Sequence, residues 1–353
     1  MSARRGISAL QLFARRYATH AGRAGETVPP TSNAHRHALD PSGVIEVPQR
    51  LLMGPGPANA HPRILAAQSL PLLGHMHPPF LKIMDEISEG LRYCLQTDSK
   101  YTLMVSGTGH AGMEAAIANL LEPGEKIIVG NKGIWGQRVA DLAARYGGDV
   151  VELKAEAGRS FSLAEMTAAL EKHRPAVLFL CQGESSTGVH QSLAGLGEVC
   201  KRTGTLLLVD TVCSLGGVPF YFDEWGVDCM YSGSQKCLSA PPGGAPFAMS
   251  ARAMEKLKGR KTKPATYNLD MNLIGDYWGC LITVNTIKVP AGVDWAAVVK
   301  NAMDRYSLEI AGGLGPTAGK VWRVGLMGYN ARPQNVALVV EAFRDGLAKQ
   351  GKL

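Results

Sequence analysis

The chain has 353 residues, of which 46% are hydrophobic and 19% charged, which is typical of a globular protein of about two domains. Its seven cysteines are scattered without a C-x-x-C pair, which disfavours a disulfide framework or a zinc site, and no apolar run is long enough for a membrane span. Five arginines precede the first acidic residue, Glu26, and account for most of the net charge of +7, so no nucleic-acid-binding surface is indicated.

Residues 1–25 have the pattern of a mitochondrial presequence. The segment is rich in arginine, has no acidic residue and repeats apolar residues at helical spacing from Ile7 to Tyr17. A disordered basic tail is the alternative interpretation. The C-terminal tripeptide Gly-Lys-Leu resembles the peroxisomal Ser-Lys-Leu signal only loosely. The sequence therefore predicts import into the mitochondrial matrix, with the peroxisome as the alternative destination.

Residues 26–50 form a polar arm, rich in proline and histidine, that we expect to wrap around another surface or a second subunit. The loop Gly54–Asn59 follows, in which glycine alternates with proline and the backbone is left exposed. Its N–H groups are suited to a substrate carboxylate, although a turn that only leads into the domain has the same composition. His75 and His77 have no third ligand nearby, so the sequence predicts no metal site.

A glycine-rich loop at residues 107–112 separates a predicted strand, Tyr101–Ser106, from a predicted helix, Met113–Leu121. The loop reads Gly-Thr-Gly-His-Ala-Gly, which matches the G-x-G-x-x-G pattern of dinucleotide-binding proteins such as dehydrogenases. Those proteins need an acidic residue about 20 positions later to hold the ribose, and the corresponding region, Gly-Asn-Lys-Gly, has none. Free N–H groups at a helix N-terminus still attract an anion, and Thr108 and His110 can add hydrogen bonds. We therefore interpret the loop as a phosphate-binding site without a dinucleotide.

Strands and helices alternate after this loop. Predicted strands lie at Lys126–Gly130, Asp149–Leu153, Ala176–Cys181 and Thr205–Asp210, and predicted helices lie between them at Trp135–Tyr146, Leu163–Lys172 and Leu196–Arg202. This alternation predicts a largely parallel, doubly wound α/β sheet. Because ligands of such sheets bind beyond the carboxyl ends of the strands, the residues that follow each strand are the candidates for a site.

Three residues that follow strands together fit pyridoxal 5'-phosphate (PLP). Lys236 lies among small residues in Ser-Gly-Ser-Gln-Lys-Cys, and a lysine amine can form a Schiff base with a carbonyl. Asp210 ends a strand, where an acid can pair with a protonated pyridine nitrogen. Trp135 lies among glycines, where an indole can stack on an aromatic ring. Each residue alone has a purely structural explanation, but together with the phosphate-binding loop they favour a single PLP site.

Seven segments of the chain resemble those of the class V PLP-dependent aminotransferases, and in particular of alanine–glyoxylate (serine–pyruvate) aminotransferases. They are GPGP, SGTGHAGMEAA, GNKGIWGQR, GESSTGV, LLLVDTVCSLGG, YSGSQKCLSAPPG and GGLGPTAGKVWRVGLMG, and the resemblance covers nearly all of residues 50–347. It implies PLP fold type I, with a large sheet domain and a smaller C-terminal α/β domain. It also implies a homodimer.

The resemblance further implies a role for each residue at a matching position. Lys236 would carry the cofactor and act in catalysis, Asp210 would pair with the pyridinium nitrogen, and Trp135 would stack on the ring. The remaining residues with implied roles are the phosphate ligands Thr108, Gly109, His110 and Gln235, the ring contact Val212, the ring-hydroxyl and substrate contact Ser185, and the substrate-carboxylate ligand Arg323.

The implied activity is transfer of an amino group from alanine, or from serine, to glyoxylate, which gives pyruvate or hydroxypyruvate and glycine. The implied partners are therefore small amino acids and 2-oxo acids, with no nucleic acid and no membrane. A lyase or desulfurase of the same fold is an alternative. It would need a cysteine on a mobile loop near the substrate, and no cysteine of the sequence is convincing in that role.

One departure from the family's pattern follows Cys280. The family continues from Tyr-Trp-Gly-Cys into an acidic turn, a Met-Tyr-His-His-Thr segment and a long helical region, whereas this chain runs directly into a strand. Several dozen residues are thus expected to be missing, which makes an inactive or impaired isoform a further alternative. The predicted domains are a large PLP-binding domain, 51–280, and a shortened small domain, 281–353. Two strands and a helix are predicted in the small domain, at Leu281–Val289, Val321–Met327 and Pro333–Lys349.

Overall fold

The computed structural model of the chain describes residues 47–75, 77–156, 158–276, 284–313, 315–325 and 333–352. The predicted presequence, most of the polar arm and the junction at Cys280 lie outside these ranges, so the expectations for them stay predictions. Within the described ranges, no helix is both long enough and apolar enough to cross a membrane.

The secondary structure follows the chain order expected of an α/β protein. The described strands are β1 (Thr102–Ser106), β2 (Lys126–Asn131), β3 (Asp149–Lys154), β4 (Val177–Cys181), β5 (Gly183–Glu184), β6 (Val189–His190), β7 (Leu206–Asp210), β8 (Cys229–Tyr231), β9 (Gly244–Met249), β10 (Val284–Lys288), β11 (Ala311–Gly312) and β12 (Val321–Gly325). The described helices are α1 (Pro62–Ala67), α2 (Pro78–Leu95), α3 (Gly109–Leu120), α4 (Ile134–Arg145), α5 (Leu163–His173), α6 (Leu196–Thr203), α7 (Ala251–Lys258), α8 (Met271–Asp276), α9 (Trp295–Tyr306) and α10 (Pro333–Ala348).

Seven of these strands form one sheet, in the order β1-β9-β8-β7-β4-β2-β3. The five neighbours from β8 to β3 are parallel, whereas β9 runs antiparallel to both β1 and β8. Helices alternate with strands because a parallel pair needs a crossover connection, which a helix provides. The predicted doubly wound, mostly parallel α/β sheet is confirmed.

Neighbouring residues of the central strands face opposite sides of this sheet. In β4, Val177 and Phe179 pack in one hydrophobic core, whereas Leu178 and Leu180 pack in another. Every residue of β4 and of β7 is buried. A continuous buried apolar run is what a strand covered on both faces requires, and it made these strands recognisable in the sequence.

The strands that carry the predicted site end side by side. Cys181 of β4 pairs with Asp210 of β7, which in turn pairs with Tyr231 of β8. The segment after β4 folds into the short β5–β6 hairpin, and the segment after β8 leads to Lys236. Helices α3 and α4 begin shortly after β1 and β2, so their N-termini lie at the same edge of the sheet.

The C-terminal elements form a second, antiparallel sheet in the order β10-β12-β11. Helices α9 and α10 pack on it through a core that includes Val298, Trp322 and Phe343. The two strands and the helix predicted in this part correspond to β10, β12 and α10. The predicted boundary after Cys280 lies outside the described residues and stays a prediction.

Candidate active site

A cavity of about 200 Å³ lies at the carboxyl edge of the large sheet. Separate segments of the chain meet there, and the lining residues are Thr108, Gly109, His110, Met113, Trp135, Asp210, Val212, Tyr231, Gln235 and Lys236. Of the predicted cofactor-binding residues, only Ser185 is not part of this lining. Ser185 nevertheless belongs to the site, because it is hydrogen-bonded to two residues that are.

Ser185 and Trp135 hold the amine of Lys236. The amine Nζ donates to Ser185 Oγ at 3.0 Å and lies 5.7 Å from the centroid of the Trp135 ring. The same serine oxygen accepts the indole N–H of Trp135 at 2.8 Å. Since a lysine ammonium is attracted to an aromatic face, both contacts direct the amine towards the cavity.

The Gly54–Asn59 loop packs on the aliphatic stem of Lys236. Gly56 has a φ of +116°, and a Cβ at this position would lie 2.7 Å from Cε of the lysine. The N–H of Ala58 donates to the carbonyl of Gln235 at 2.8 Å and ties the loop to the lysine segment. Position 56 therefore requires glycine both for its backbone conformation and for the approach of the lysine.

Asp210 is buried at the end of β7, with 1% of its surface exposed. One carboxylate oxygen accepts the N–H of Val212 at 2.8 Å, and the other accepts the hydroxyl of Tyr231 at 2.8 Å. Burial raises the pKa of Asp210 to about 6, although these hydrogen bonds and the charge of Lys236 act in the opposite direction. The group is thus mainly ionised at neutral pH, and a further positive charge in the cavity would stabilise the ionised form.

The N-terminus of α3 forms a side of the cavity that suits a phosphate. Thr108 is the N-cap, so α3 begins at Gly109, four residues before the predicted start at Met113. Gln235 has a buried Oε1 with no hydrogen-bond partner among the described residues. Rotation of this amide would bring its NH2 donors to the same place. Free N–H groups at a helix N-terminus, beside an amide with unused hydrogen-bonding capacity, fit an anionic group.

Arg138 and Tyr231 line or border the site but were not predicted from the sequence. Arg138 Nη1 lies 2.6 Å from His110 Nε2, and the guanidinium carbon lies 4.9 Å from the centroid of the Trp135 ring. Burial and the charge of Arg138 lower the pKa of His110, which favours a neutral imidazole. The sequence signal that could have found Arg138 is its three-residue spacing from Trp135, which puts both on one side of a helix.

A larger cleft of about 480 Å³ meets the inner cavity at Lys236. Among the described residues, Lys236 is the one that lines both. The size of the cleft and its contact with the lysine amine suit a small amino acid. Its other lining residues include Gly54, Gly56, Ser185, His190, Cys213 and Cys237.

Arg323 is the predicted site residue that the structure does not bring to either cavity. It lies in β12, where its Nε donates to the carbonyl of Gly312 at 2.7 Å. Its predicted contact with the substrate carboxylate stays a prediction.

Comparisons with known proteins identify the family. A family model described as aminotransferase class-V matches residues 66–273. The chain is 43% identical to an alanine–glyoxylate aminotransferase of Drosophila melanogaster and 42% identical to one of Callithrix jacchus, over 86% of this chain and 93% and 89% of those relatives. A solved alanine–glyoxylate aminotransferase from Nostoc sp. is 43% identical, with a TM-score of 0.67 over 90% of this chain and 100% of that chain.

The alignment with the Drosophila protein is longer than the part of this chain that it covers. It extends over 368 positions, yet it covers only 86% of the 353 residues of this chain. Several dozen aligned positions therefore have no counterpart here, in agreement with the expected shortening. The predicted place of the gap, after Cys280, lies outside the described residues.

The family assignment rests on sequence and structure together. The large, mostly parallel sheet is that of PLP enzymes of fold type I, as in the solved relatives. The residues around the cavity fit PLP, since they offer a lysine for its aldehyde, a buried acid for its ring nitrogen and a helix N-terminus for its phosphate. The chain therefore belongs to the class V aminotransferase family and is a transaminase with pyridoxal 5'-phosphate as its cofactor.

Proposed function

We propose that the chain transfers an amino group from alanine, or from serine, to glyoxylate, giving pyruvate or hydroxypyruvate and glycine. Relatives that are 43% and 42% identical over 86% of the chain are named alanine–glyoxylate aminotransferase. The structural observation that carries the proposal is the position of Lys236, which lines both the inner cavity and the outer cleft. An amine at this junction faces the cofactor on one side and an amino acid on the other.

The inner cavity would hold the cofactor by its two ends. PLP, when bound, supplies the electron sink that stabilises negative charge on the α-carbon of the amino donor. The N-terminus of α3 with Thr108, Gly109, His110 and Gln235 would bind its phosphate. Asp210 would pair with its protonated ring nitrogen, because an ionised carboxylate in a buried site is stabilised by a nearby positive charge.

Lys236 would serve two purposes in turn. Its Nζ would bond covalently to the cofactor aldehyde and, once the amino donor has released it, would carry the proton taken from the donor α-carbon. Ser185 would orient this amine, since its Oγ already accepts a hydrogen bond from Nζ. Trp135 and Val212 would pack against the cofactor ring and keep water away from the transferred proton.

An inactive or impaired isoform that keeps the fold without the complete site is the alternative. Arg323 is proposed to bind the substrate carboxylate, for which the planar guanidinium is well suited. However, Arg323 lines neither cavity, and its Nε donates to the carbonyl of Gly312, so this role requires the side chain to move. The several dozen positions of the alignment with the Drosophila protein that have no counterpart here favour the same alternative.

A lyase or desulfurase is supported less well. Such an enzyme would use a reactive cysteine on a mobile loop beside the substrate. Cys213 and Cys237 line the outer cleft, but their Sγ atoms donate to the carbonyls of Gly183 at 2.8 Å and of Cys213 at 3.3 Å. Burial also raises the pKa of Cys213, which favours the unreactive thiol.

A homodimer is part of the proposal. Large apolar side chains are concentrated and exposed in residues 51–95, among them Leu51, Met53, Leu70, Leu72 and Tyr93. Helix α1 buries none of its residues within the chain. Such a concentration of exposed apolar side chains is typical of a surface covered by another molecule, and the family resemblance implies a second copy.

Localisation in the mitochondrial matrix, with the peroxisome as the alternative, is proposed from the sequence of residues 1–25 alone. A fluorescent protein that carries these residues at its N-terminus should accumulate in mitochondria, and a cytosolic or peroxisomal signal would contradict the proposal.

The division into domains 51–280 and 281–353 is likewise a proposal. Limited proteolysis should cut near residue 280, and cleavage elsewhere would argue against it.

An absorbance scan of the purified chain loaded with PLP tests the proposed activity. We expect alanine to shift the cofactor band and glyoxylate to restore it with formation of glycine. The variant Lys236→Ala should lose turnover, whereas Lys172→Ala, at an exposed lysine of α5, should retain it. A band that no amino donor shifts would favour the inactive isoform, release of sulfide from cysteine would favour the desulfurase, and turnover by Lys236→Ala would refute the assignment.

A further inference from the structure

Two buried charged side chains next to the site have no part in the proposed reaction, although one of them, Glu184, lines the outer cleft. Lys132 follows β2 and is 4% exposed, and Glu184 lies in the β5–β6 hairpin and is 1% exposed. Buried charges are costly unless other groups compensate them. The contacts of Lys132 and Glu184 therefore indicate which structural role these two buried charges have.

Glu184 binds the N-terminus of α4 and its own loop. One carboxylate oxygen accepts the backbone N–H of Ser186 at 3.0 Å and its hydroxyl at 2.6 Å. The other accepts the backbone N–H of Trp135 at 3.3 Å, while Ser186 Oγ accepts the N–H of Ile134 at 3.1 Å. The hairpin thus caps the first turn of α4, and a negative charge at this end of a helix is favourable.

Gly133 makes this cap possible. A Cβ at position 133 would lie 2.4 Å from Ser186 Oγ and 2.6 Å from the carboxyl carbon of Glu184. The φ of Gly133 is 169°, which any residue can adopt, so the requirement for glycine here is one of space. The hairpin can reach the helix only because no side chain stands between them.

The cap is linked to the reactive amine by a short series of contacts. Trp135 donates its backbone N–H to the Glu184 carboxylate and its indole N–H to Ser185 Oγ, at 3.3 and 2.8 Å. Ser185 stands between Glu184 and Ser186 in the chain, and its Oγ accepts Lys236 Nζ at 3.0 Å. A shift of the Glu184 carboxylate therefore moves both groups that hold the lysine.

Lys132 supplies a buried positive charge near Glu184 and Asp210. Its Nζ donates to the carbonyl of Cys181 at 2.8 Å, at the end of β4. Burial lowers the pKa of Lys132, and the groups that act in the opposite direction are Cys181, Glu184, Cys213 and Asp210. Removal of Lys132 would leave the carboxylates of Glu184 and Asp210 with less positive charge around them.

We propose that Glu184 is a positioning residue, which holds Trp135 and Ser185 in place against Lys236, and that Lys132 supports it with a buried positive charge. Neither needs to touch the cofactor or the substrate to do so. The inference rests on the proposed role of Lys236, but it concerns cofactor binding as well as turnover. It predicts that the effects of Glu184 pass through Ser185.

A double-mutant cycle tests this coupling. The variants are Glu184→Gln, Ser185→Ala and the two combined, and the readouts are the dissociation constant for PLP, from quenching of tryptophan fluorescence, and kcat for the donor half-reaction. Glu184→Gln loses an acceptor and its charge, so we expect kcat to fall about tenfold to a hundredfold, because small displacements of reacting groups have effects of this size. In the Ser185→Ala background the same change should have a much smaller effect.

Glu165→Gln is the matched control. Glu165 caps α5 in the same way, by accepting the backbone N–H and the hydroxyl of Ser162, but on an exposed helix away from the cavity. Its loss should lower the melting temperature without a change in PLP affinity or kcat. If Glu184→Gln does not fold, Lys132→Met combined with Glu184→Gln removes both charges and allows the same cycle.

The outcomes separate this inference from the proposed function. Additive effects of Glu184→Gln and Ser185→Ala, or a Glu184→Gln variant that behaves like Glu165→Gln, would overturn the positioning role. A wild-type chain that binds PLP but does not use alanine with glyoxylate would refute the proposed function instead, and the PLP-binding arm of the cycle would still decide the inference.

Discussion

The protonation of the Asp210 carboxyl group depends on its burial and on the charges near it. Burial raises its pKa from the usual 3.8 to about 6. The folded chain without cofactor therefore holds this proton more strongly than the unfolded chain does. The contribution of Asp210 to the stability of the folded chain is therefore greatest at a pH below the pKa of this carboxyl group in the unfolded chain. It is lost as the pH rises through about 6. A positive charge beside the carboxylate would lower the pKa again, which links cofactor binding to proton release.

The affinity of the chain for PLP should therefore depend on pH. We expect it to increase as the pH rises towards about 6 and to level off above that value, because binding to the ionised carboxylate releases the proton that Asp210 holds in acid. Fluorescence titration of the cofactor-free protein with PLP, repeated over a series of pH values, measures the change.

Asp210→Asn is the control for this dependence. The variant should bind PLP more weakly and lose the part of the pH dependence that Asp210 contributes. Titration of the cofactor phosphate and of other side chains is the same in both proteins, so only the difference between the two profiles counts. Identical profiles would show that Asp210 does not face the ring nitrogen.

Gly56→Ala should impair the lysine directly. The substitution puts a Cβ 2.7 Å from Cε of Lys236, which is too close, and strains a backbone with φ of +116°. We expect kcat to fall by about tenfold or more, because the amine is displaced from Ser185. Gly124→Ala is the matched control, since Gly124 also has a positive φ, +82°, but has no atom within 4 Å of the added Cβ. It should lose stability and keep its activity, and a similar loss of activity in both variants would contradict the steric explanation.

At the scale of residues, the sequence predicted the groups that follow strands. Asp210, Trp135 and Lys236 stand just beyond runs that are recognisable from their apolar residues, so their convergence follows from the parallel sheet. Tyr231 and Glu184 were not predicted, because each is buried and acts through a hydrogen bond to a residue distant in the chain. Nothing in the local pattern distinguishes such a residue from an ordinary core or loop residue.

At the scale of elements, the apolar runs of the sequence predicted where the strands lie in the chain, but not the order of the strands in the sheet. The five strands predicted between residues 101 and 210 lie within one residue of their observed bounds. The antiparallel strand β9, which separates β1 from β8, was not predicted, because strand neighbours are chosen by contacts distant in the chain. The early start of α3 was also missed, since a helix that opens with glycine and histidine lacks the usual apolar periodicity.

Asp228 and Arg252 join three elements near the opposite end of β7. Asp228 is 2% exposed and accepts the N–H of Leu207, the hydroxyl of Ser250 and the guanidinium of Arg252, at 2.9, 2.8 and 3.0 Å. Arg252 also donates to the carbonyl of Thr205 at 3.0 Å. The pair thus fixes β7, β8 and α7 relative to one another.

Arg252→Met should lower the free energy of unfolding by about 2 kcal/mol or more, because it leaves a buried carboxylate without its cation. Burial already raises the pKa of Asp228, so the loss should be larger at neutral pH than in acid, where the carboxyl is protonated. Urea unfolding at two pH values measures both effects. Arg202→Met removes an exposed pair with Glu171 and should change stability by less than about 1 kcal/mol. Equal losses in the two variants would contradict the role of burial.

At the scale of the whole molecule, the shortened chain still closes its C-terminal core. Trp322 of β12 is 1% exposed, packs edge-on against Phe343 of α10 and donates its indole N–H to the carbonyl of Trp295. The missing positions have therefore not prevented these elements from burying their apolar faces. The apolar side chains of residues 51–95 remain exposed in the single chain, so another molecule would have to cover them.

If a second copy of the chain covers the exposed apolar side chains of residues 51–95, the protein is a dimer. Leu72 is 98% exposed and belongs to the exposed apolar side chains of residues 51–95, and a concentration of this kind is typical of an interaction surface. We expect the wild-type chain to have a mass near twice 37.6 kDa by light scattering after gel filtration, and Leu72→Asp to shift it towards the monomer, because a buried interface disfavours an unpaired charge. Leu163→Asp, at a leucine of α5 that is 46% exposed, is the control and should remain a dimer. A wild-type monomer, or a Leu72→Asp dimer as stable as the wild type, would place the interface elsewhere and leave the apolar side chains of residues 51–95 to another partner.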